Sequence, residues 1–269
     1  MRLGKYHGLG NDFLVALASE NPGLGVEPDA ARVLCHRRTG IGADGLILGF
    51  DDPSTDAGSS PGADARMVLL NADGSEAEIS GNGIRCLGQA LLRSAGRREG
   101  TLQIDTAGGR RELRVVKGDP GTVVWMDVDM GVALPGPEPT SATAAYGAAH
   151  VATIDLGNPH VVLFVDNPAS IDLAVEGAAL ESGYDGGINV HFVRVEAPDH
   201  VTLRPWERGA GATEACGSGA SAAVAAATDL GLVKGRVRVD MPGGSADVEV
   251  VDGSVHLIGP ATHVAEVVT

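Results

Sequence analysis

The sequence predicts an α/β (α+β) protein built from two pseudo-symmetric halves. Short β-branched runs such as "TVVWMDV" and "HVVLFV" are bounded by Gly, Pro, Asp or Asn, which is typical of strands. Two glycine-opened runs, which begin at Gly81 and Gly217, have the composition and spacing of helices. The third observation is a repeat, because "EISGNGIRC" around Ser80 and "EACGSGASA" around Cys216 follow the same plan.

A second pair of phrases supports a duplication. "LGNDFLV" and "LGNPHVV" both begin Leu-Gly-Asn, and they lie 147 residues apart, whereas the two helix-opening phrases lie 136 residues apart. The stretch 51–65 is rich in Pro, Gly, Ser and Asp and is expected to be an exposed loop or insertion. An insertion at that place in the first copy reconciles the two spacings.

The two halves are expected to have definite bounds along the chain. We expect an N-terminal half of residues 1–121 with 262–269, which carries Ser80, and a C-terminal half of residues 122–261, which carries Cys216. Additional helices are expected around Asp29–Arg38 and Ile171–Glu181.

Composition limits the partners of the chain. The 269 residues are 43% hydrophobic, enough for a sizeable core, and carry a formal net charge of −15. This charge argues against nucleic acid or an anionic membrane as a partner. No apolar run approaches the ~18–20 residues of a membrane span, and the first residues lack a signal-peptide core. We therefore expect a cytoplasmic protein with a small-molecule partner; a homodimer is carried as a hypothesis.

The residues that bind metals and cofactors are sparse. The three cysteines (Cys35, Cys86 and Cys216) form no CxxC, and no histidines stand at HxH or HxxxH spacing. This favours a reducing compartment and argues against a zinc site. No lysine stands in an active-site phrase, and no phosphate-binding or dinucleotide-binding glycine motif occurs. We expect no metal and no cofactor.

Ser80 and Cys216 stand where a catalytic pair could stand. Each is expected just before a helix whose Gly-polar-Gly start exposes backbone N–H groups. Such a start binds anions and lowers the pKa of a nearby thiol. A structural alternative is that Ser80 only caps its helix and Cys216 is a small core residue; the glycines and the duplication favour function. Two such groups facing each other across a cleft could remove a proton from one face of a carbon and return one to the other, as racemases and epimerases do.

Charged and amide residues near these helices suit a zwitterionic ligand. Glu207 and Arg208 adjoin the glycine-rich loop before Cys216, where they are candidates to bind an ammonium and a carboxylate. Asn71 and Asn189 add neutral amides that can bind either pole.

Four phrases together, "HGLGNDF", "NADGSEAEISGNGIRC", "GNPH" and "WERGAGATEACGSGA", resemble the diaminopimelate epimerase family over nearly the whole chain. The resemblance implies cofactor-independent interconversion of LL- and meso-2,6-diaminopimelate, on the route to lysine and peptidoglycan. It also implies that each half is a curled, mostly antiparallel sheet around a central helix, with the active site in the cleft between the halves.

The resemblance implies roles for individual residues. Cys216 matches one of two catalytic cysteines, and His160 and Glu207 tune the acid–base residues. The implied substrate contacts are Asn11, Asn71, Gly81, Asn82, Asn158, Asn189, Glu207, Arg208, Gly217 and Ser218.

This chain departs from the family pattern at two of these places. Ser80 stands where the family has its other catalytic cysteine, and Cys86 lies too far along the helix, on nearly the opposite side, to replace it. Gly45 stands where many members have a glutamine that contacts substrate. Three interpretations of Ser80 stay open: a Cys→Ser change made to hold substrate, a natural variant that still epimerises through the hydroxyl or a water, and a shifted activity.

Two other functions therefore stay open beside the epimerase. One is another amino-acid racemase or isomerase of the same fold. The other is a catalytically impaired or silent protein that binds a diamino acid. Exchange of the Cα proton with solvent deuterium, tested with diaminopimelate and other amino acids, discriminates among them.

Overall fold

The computed structural model describes residues 1–51, 58 and 60–269, so the loop expected at 51–65 lies partly outside the described residues. The chain divides into two compact units. Unit 1 is residues 1–129 with 259–269, and unit 2 is residues 130–258. The origin of the two halves by duplication stays a prediction, because two compact units are not in themselves evidence of a common ancestor.

The described residues of unit 1 form eight strands and two α-helices. Its strands are β1 (Arg2–Gly8), β2 (Asn11–Leu17), β3 (Gly45–Phe50), β4 (Ala65–Asn71), β5 (Glu76–Ala77), β6 (Thr101–Thr106), β7 (Gly109–Gly118) and β8 (Val123–Val132). Its helices are α1 (Pro28–Cys35) and α2 (Gly81–Ser94), with a short 3₁₀ helix at Ala18–Glu20.

Unit 2 contains nine strands and two α-helices. Its strands are β9 (Leu134–Pro135), β10 (His150–Asp155), β11 (Pro159–Phe164), β12 (Asn189–Ala197), β13 (His200–Glu207), β14 (Gly211–Ala212), β15 (Val237–Met241), β16 (Gly244–Val251) and β17 (Ser254–Val268), whose last part belongs to unit 1. Its helices are α3 (Leu173–Ser182) and α4 (Gly217–Asp229), with 3₁₀ helices at Ser141–Tyr146 and Pro168–Ser170.

The two units repeat one topology. In unit 1 the β1–β2 hairpin leads through α1 to β3, which pairs in parallel with β2. Strand β4 then pairs antiparallel with β3, and β5 pairs antiparallel with β4. Helix α2 follows, and the next strand, β6, pairs in parallel with β4. Unit 2 does the same with β10–β11, α3, β12, β13, β14, α4 and β15. Two antiparallel meanders follow, β6–β7–β8 and β15–β16–β17, and β1 also pairs antiparallel with the end of β17. The prediction of two repeated α+β halves is confirmed.

Each unit buries one helix almost completely. Every residue of α2 from Gly81 to Leu92 is buried, and every residue of α4 from Gly217 to Ala227. The sheet comes close to α2, because a Cβ added at Gly88 would lie 2.9 Å from Leu113 of β7. These are the central helices that the resemblance implied.

The other helix of each unit covers the opposite face of the same strands. Residues of α1 pack with Leu14 and Leu46 in one core cluster, and residues of α3 pack with Val161 and Phe192 in another. The central strands are therefore buried on both faces, which removes the polar/apolar alternation of a half-exposed strand.

All four expected helices are confirmed, and every run predicted as a strand is one. No helix within the described residues has the length and apolarity needed to cross a membrane.

Candidate active site

Ser80 and Cys216 are the N-caps of the two central helices. Ser80 has an extended backbone (φ −135°, ψ 121°), and its Oγ accepts a hydrogen bond from the Gly83 N–H at 3.0 Å. Cys216 has nearly the same backbone (φ −123°, ψ 111°), and its Sγ accepts from the Gly219 N–H at 3.3 Å. The repeated phrases thus form the same local structure, with an oxygen in one copy and a sulfur in the other.

In unit 1 two predicted amides meet beside the Ser80 cap. The Asn82 Nδ2 donates to the Asn11 Oδ1 at 3.2 Å, and the Asn11 Nδ2 donates to the Asp44 carboxylate at 2.9 Å. Both asparagines are buried. Asp44 also pairs with Arg37, so the amides connect to a charged cluster at the edge of the sheet.

Asn71 and Gly45 lie directly opposite each other on β4 and β3. Asn71 ends β4, and its side-chain Nδ2 donates to the Ser75 hydroxyl at 3.0 Å. A Cβ added at Gly45 would lie 2.8 Å from the Leu70 carbonyl oxygen, which is closer than real Cβ atoms approach. The glycine is therefore required by close strand packing, and this backbone has no room for a longer side chain at position 45.

In unit 2, Cys216 lies next to Glu207 and Ser218. The thiol is 2% exposed, its Sγ is 3.6 Å from the Ser218 hydroxyl, and it forms a hydrogen bond with the Glu207 carboxylate. Thr213 donates to that carboxylate at 2.5 Å. Gly217 begins α4 directly after the cap, as Gly81 begins α2.

The pKa of the Cys216 thiol is raised well above its usual value, first by burial and then by the negative charge of Glu207. The Ser218 hydroxyl and the Gly219 N–H lower the thiol pKa but do not outweigh these effects. The Gly219 N–H at the helix start thus lowers the thiol pKa in the expected direction, but burial and Glu207 raise it by more. Cys216 rests as a protonated thiol.

A pair of buried histidines lies beneath the Cys216 helix. His160 Nδ1 lies 2.9 Å from His191 Nε2, and His160 Nε2 lies 2.8 Å from Asn158 Oδ1. The imidazole of His191 contacts Gly219, where an added Cβ would collide with the ring. Both ring nitrogens of His160 are thus engaged, and its action on the acid–base residues would be indirect.

Burial keeps both histidines neutral. It lowers the pKa of His160 well below its usual value, helped by the neighbouring His191 and by Arg208, and it lowers the pKa of His191 to about 3. With the Asn158 carbonyl oxygen facing His160 Nε2, His160 donates there and accepts from His191 at Nδ1. In this arrangement the histidine pair holds the Asn158 side chain by a hydrogen bond.

The Asn189 amide is fixed by two backbone groups. Its Nδ2 donates to the Pro159 carbonyl at 2.9 Å, and its Oδ1 accepts from the Arg208 N–H at 3.1 Å. A carbonyl only accepts and an N–H only donates, so the orientation is unambiguous. The Arg208 side-chain stem lies against Gly187, where a Cβ would be 3.0 Å away.

Strand register shows which residues correspond in the two units. Phe13 lies opposite Gly45 in the parallel pair of unit 1, and His160 lies opposite Asn189 in that of unit 2. The buried histidine pair thus stands where unit 1 has Phe13 and Ile47. Likewise Asn189 stands where unit 1 has Gly45, so unit 2 carries an amide at a position where unit 1 has no side chain.

Sequence reasoning missed His191 and Asp44. A signal for His191 was present, because "INVHF" alternates and places it on the same strand face as Asn189. Asp44 carries no comparable signal, since its role depends on Asn11, which is distant in sequence. Within the described residues, no cluster of three or more His, Cys, Asp or Glu side chains has the geometry to hold a metal ion.

Replacing Glu207 by Gln should make Cys216 more reactive. Removing the carboxylate charge lowers the thiol pKa, and each unit of lowering raises the thiolate fraction about tenfold below that pKa. The measurement is the rate of iodoacetamide labelling of Cys216 at several pH values, followed by peptide mapping. Glu214→Gln is the control, because it makes the same charge change at an exposed neighbour. Unchanged or slower labelling in Glu207→Gln contradicts the assigned role of the carboxylate.

Replacing the histidine pair by its unit 1 counterparts, His160→Phe with His191→Ile, should remove a source of acid sensitivity. Below pH 6.5 both histidines bind protons in the unfolded chain but stay neutral in the native state. The free energy of unfolding therefore decreases as the pH is lowered. We expect a loss of up to about 1.4 kcal/mol per pH unit for each histidine.

Urea unfolding at pH 7.5 and pH 5 measures this loss of stability. The double variant should lose much less stability between the two pH values than the wild type. His150→Phe, at an exposed position, should retain the wild-type change. Equal changes in the double variant and the wild type contradict the burial of two neutral imidazoles.

The chain is similar to known proteins over nearly its whole length. The family model described as diaminopimelate epimerase matches residues 3–134 and 152–264. The diaminopimelate epimerase of Desulfitobacterium hafniense is 37% identical over 285 residues, covering 98% of this chain and 96% of that protein.

Two solved structures share the fold. A predicted epimerase from Pseudomonas aeruginosa has a TM-score of 0.76 at 20% identity, covering 100% of this chain and 98% of that one. A hydroxyproline epimerase from Agrobacterium vitis, with bound trans-4-hydroxy-L-proline, has a TM-score of 0.72 at 17% identity, covering 99% and 91%. By its sequence over nearly its full length, the chain belongs to the diaminopimelate epimerase family, a family of isomerases.

Proposed function

We propose that the protein is a cofactor-independent epimerase that interconverts LL- and meso-2,6-diaminopimelate by two-base proton transfer at Cα. The observation that carries the proposal is the matched pair of N-caps, Ser80 and Cys216, in a member of this family. Each hetero-atom already accepts a hydrogen bond at the start of a buried helix, so each is held in one place.

Inversion at carbon requires one proton to leave and another to arrive on the opposite face. A base on one side takes the Cα proton, and an acid on the other side gives a proton to the resulting carbanion. The two groups end with exchanged protonation states, so the reverse reaction uses them in exchanged roles. In this proposal Cys216 acts on one face of the Cα and Ser80 acts on the other.

Glu207 gives Cys216 a way to respond to substrate. Its negative charge raises the thiol pKa in the protein without ligand. A substrate ammonium bound by Glu207 would offset that charge and lower the thiol pKa. In this proposal Arg208 binds the carboxylate, and the thiol gives its proton to solvent and becomes a usable base only when an amino acid is bound.

The other proposed contacts bind the two ends of a zwitterion. Asn11 and Asn82 in unit 1, with Asn158 and Asn189 in unit 2, offer amides that are each held by hydrogen bonds to their neighbours. The backbone N–H groups at the helix starts, those of Gly81, Gly217 and Ser218, add donors for carboxylates. Asn71, at the end of β4, is a further proposed contact.

Ser80 makes the two faces unequal. A serine hydroxyl is a far weaker acid than a thiol, whose reference pKa is about 8.5. Proton return from the Ser80 face should therefore be slow compared with proton removal by Cys216.

Ser80 also favours a second candidate, an isomerase of the same fold with another amino-acid substrate, or a protein that binds a diamino acid without inverting it. A binding protein shows no Cα exchange with any amino acid, and an isomerase of another substrate shows exchange only with that one.

The proposed reaction takes place in the cytoplasm, because separate buried thiols suit a reducing compartment; a homodimer stays a hypothesis.

Solvent-deuterium exchange tests the proposed function. In D₂O, deuterium should enter one stereoisomer of diaminopimelate faster than that isomer is inverted, while the other isomer exchanges poorly. Ser80→Cys should equalise the two exchange rates and raise epimerisation by roughly 10²–10⁴-fold, the contribution of a positioned acid–base group.

Ser94→Cys adds a thiol at the exposed end of the same helix and should change neither rate. Unchanged or lower rates in Ser80→Cys would remove Ser80 from the reaction path.

A further inference from the structure

A guanidinium lies fully buried in unit 1, behind the Ser80 helix start. Arg85 is 0% exposed, and its Nη2 donates to the Asn82 Oδ1 at 2.5 Å, while its Nε donates to the Pro260 carbonyl at 3.3 Å. The group lies against Gly8 and Gly259, where added Cβ atoms would come within 3.3 Å and 3.0 Å of it.

This buried charge has little compensation. Burial lowers the pKa of Arg85 to about 10, so the group stays charged at neutral pH. Among the residues that the structure describes, no carboxylate is paired with it, and its Nη1 has no hydrogen-bond partner. An unpaired buried cation lowers the stability of the folded state, so stabilisation of the fold does not explain why an arginine stands at position 85.

Arg85 begins a hydrogen-bond chain that has only one direction. A guanidinium can only donate, so Asn82 must turn its Oδ1 toward Arg85 and its Nδ2 toward Asn11. Asn11 therefore accepts at Oδ1 and donates through Nδ2 to Asp44, whose carboxylate can only accept. A cation at one end and an anion at the other fix both amides.

Unit 2 uses different residues for the same task. At the position that corresponds to Arg85 in the repeat, it has Ser221, whose hydroxyl donates to the Gly217 carbonyl of its own helix at 3.0 Å. Its Asn158 amide lies instead against the neutral histidine pair, whose ring nitrogens can donate or accept. The buried cation thus belongs to the half of the site that carries Ser80.

We propose that Arg85 is a positioning residue that orients the amides of Asn82 and Asn11 toward the ligand through this directed chain. Its catalytic consequence rests on the proposed function, but its effect on the amides does not.

Side-chain amide NMR tests the orientation without substrate. In ¹⁵N-labelled protein, the Asn82 and Asn11 NH₂ signals, assigned with Asn82→Asp and Asn11→Asp, should be protected from hydrogen exchange. Arg85→Met should speed exchange at both by at least about tenfold, the effect of losing one hydrogen bond. The Asn189 signals in unit 2 should not change.

Gln89→Met is the matched control, because it removes a buried polar group one turn further along the same helix, where Gln89 donates to the Pro120 and Thr122 carbonyls. It should leave the Asn82 and Asn11 signals unchanged. Where Arg85→Met does not fold, Arg85→Lys replaces it, since lysine keeps the charge but loses the planar fork. Unchanged protection of Asn82 and Asn11 in the folded Arg85 variant overturns the proposal.

Kinetics test whether Arg85 acts through Asn82. Arg85→Met should lower kcat/KM for diaminopimelate on the order of 100-fold, the loss typical of a misplaced contact. In an Asn82→Ala background the same change should cost less than about twofold, because the amide it orients is gone. Equal losses in both backgrounds contradict a positioning role. Absence of any turnover of diaminopimelate by the wild type would reject the proposed function, whereas the NMR result would still decide the role of Arg85.

Discussion

Both units depend on burying the first turn of a glycine-rich helix inside their own sheet. A side chain at Gly219 would collide with the His191 ring, and one at Gly83 would press on the Ser80 cap at 3.1 Å. The glycines let strand and helix approach closely, and the same closeness removes water from the helix start. At each start one hetero-atom, on Ser80 or Cys216, accepts a hydrogen bond from a backbone N–H.

Exclusion of water decides the electrostatics of both half-sites. It raises the pKa of the Cys216 thiol, keeps the histidine pair neutral and leaves Arg85 as a buried cation. A helix start favours a thiolate by about 0.3–1 kcal/mol at exposed sites, which is too little to offset full burial beside a carboxylate. The charges of a bound ligand would therefore change the protonation of the Cys216 thiol more than the helix start alone does.

The sequence was sufficient for the repeat, the two central helices and the caps, because glycine phrases and helical spacing are local signals. It was less informative for β2 and β3, whose burial on both faces removes alternation. Cys216 shows the limit for chemistry: its place at a helix start was predictable, but its raised pKa was not, because burial and Glu207 are set by the tertiary fold. The link between Arg85 and Asp44 could not be predicted from the sequence for the same reason, because the hydrogen bonds that join them through two asparagines form only on folding.

Two-faced inversion is tested most directly by a crystal structure of the protein with a diaminopimelate stereoisomer bound. We expect the Cα to lie within about 3–3.5 Å of Ser80 Oγ on one face and of Cys216 Sγ on the other, the separation of reacting atoms before attack. A Cα with both atoms on the same face, or one bound away from either helix start, would contradict the proposed mechanism.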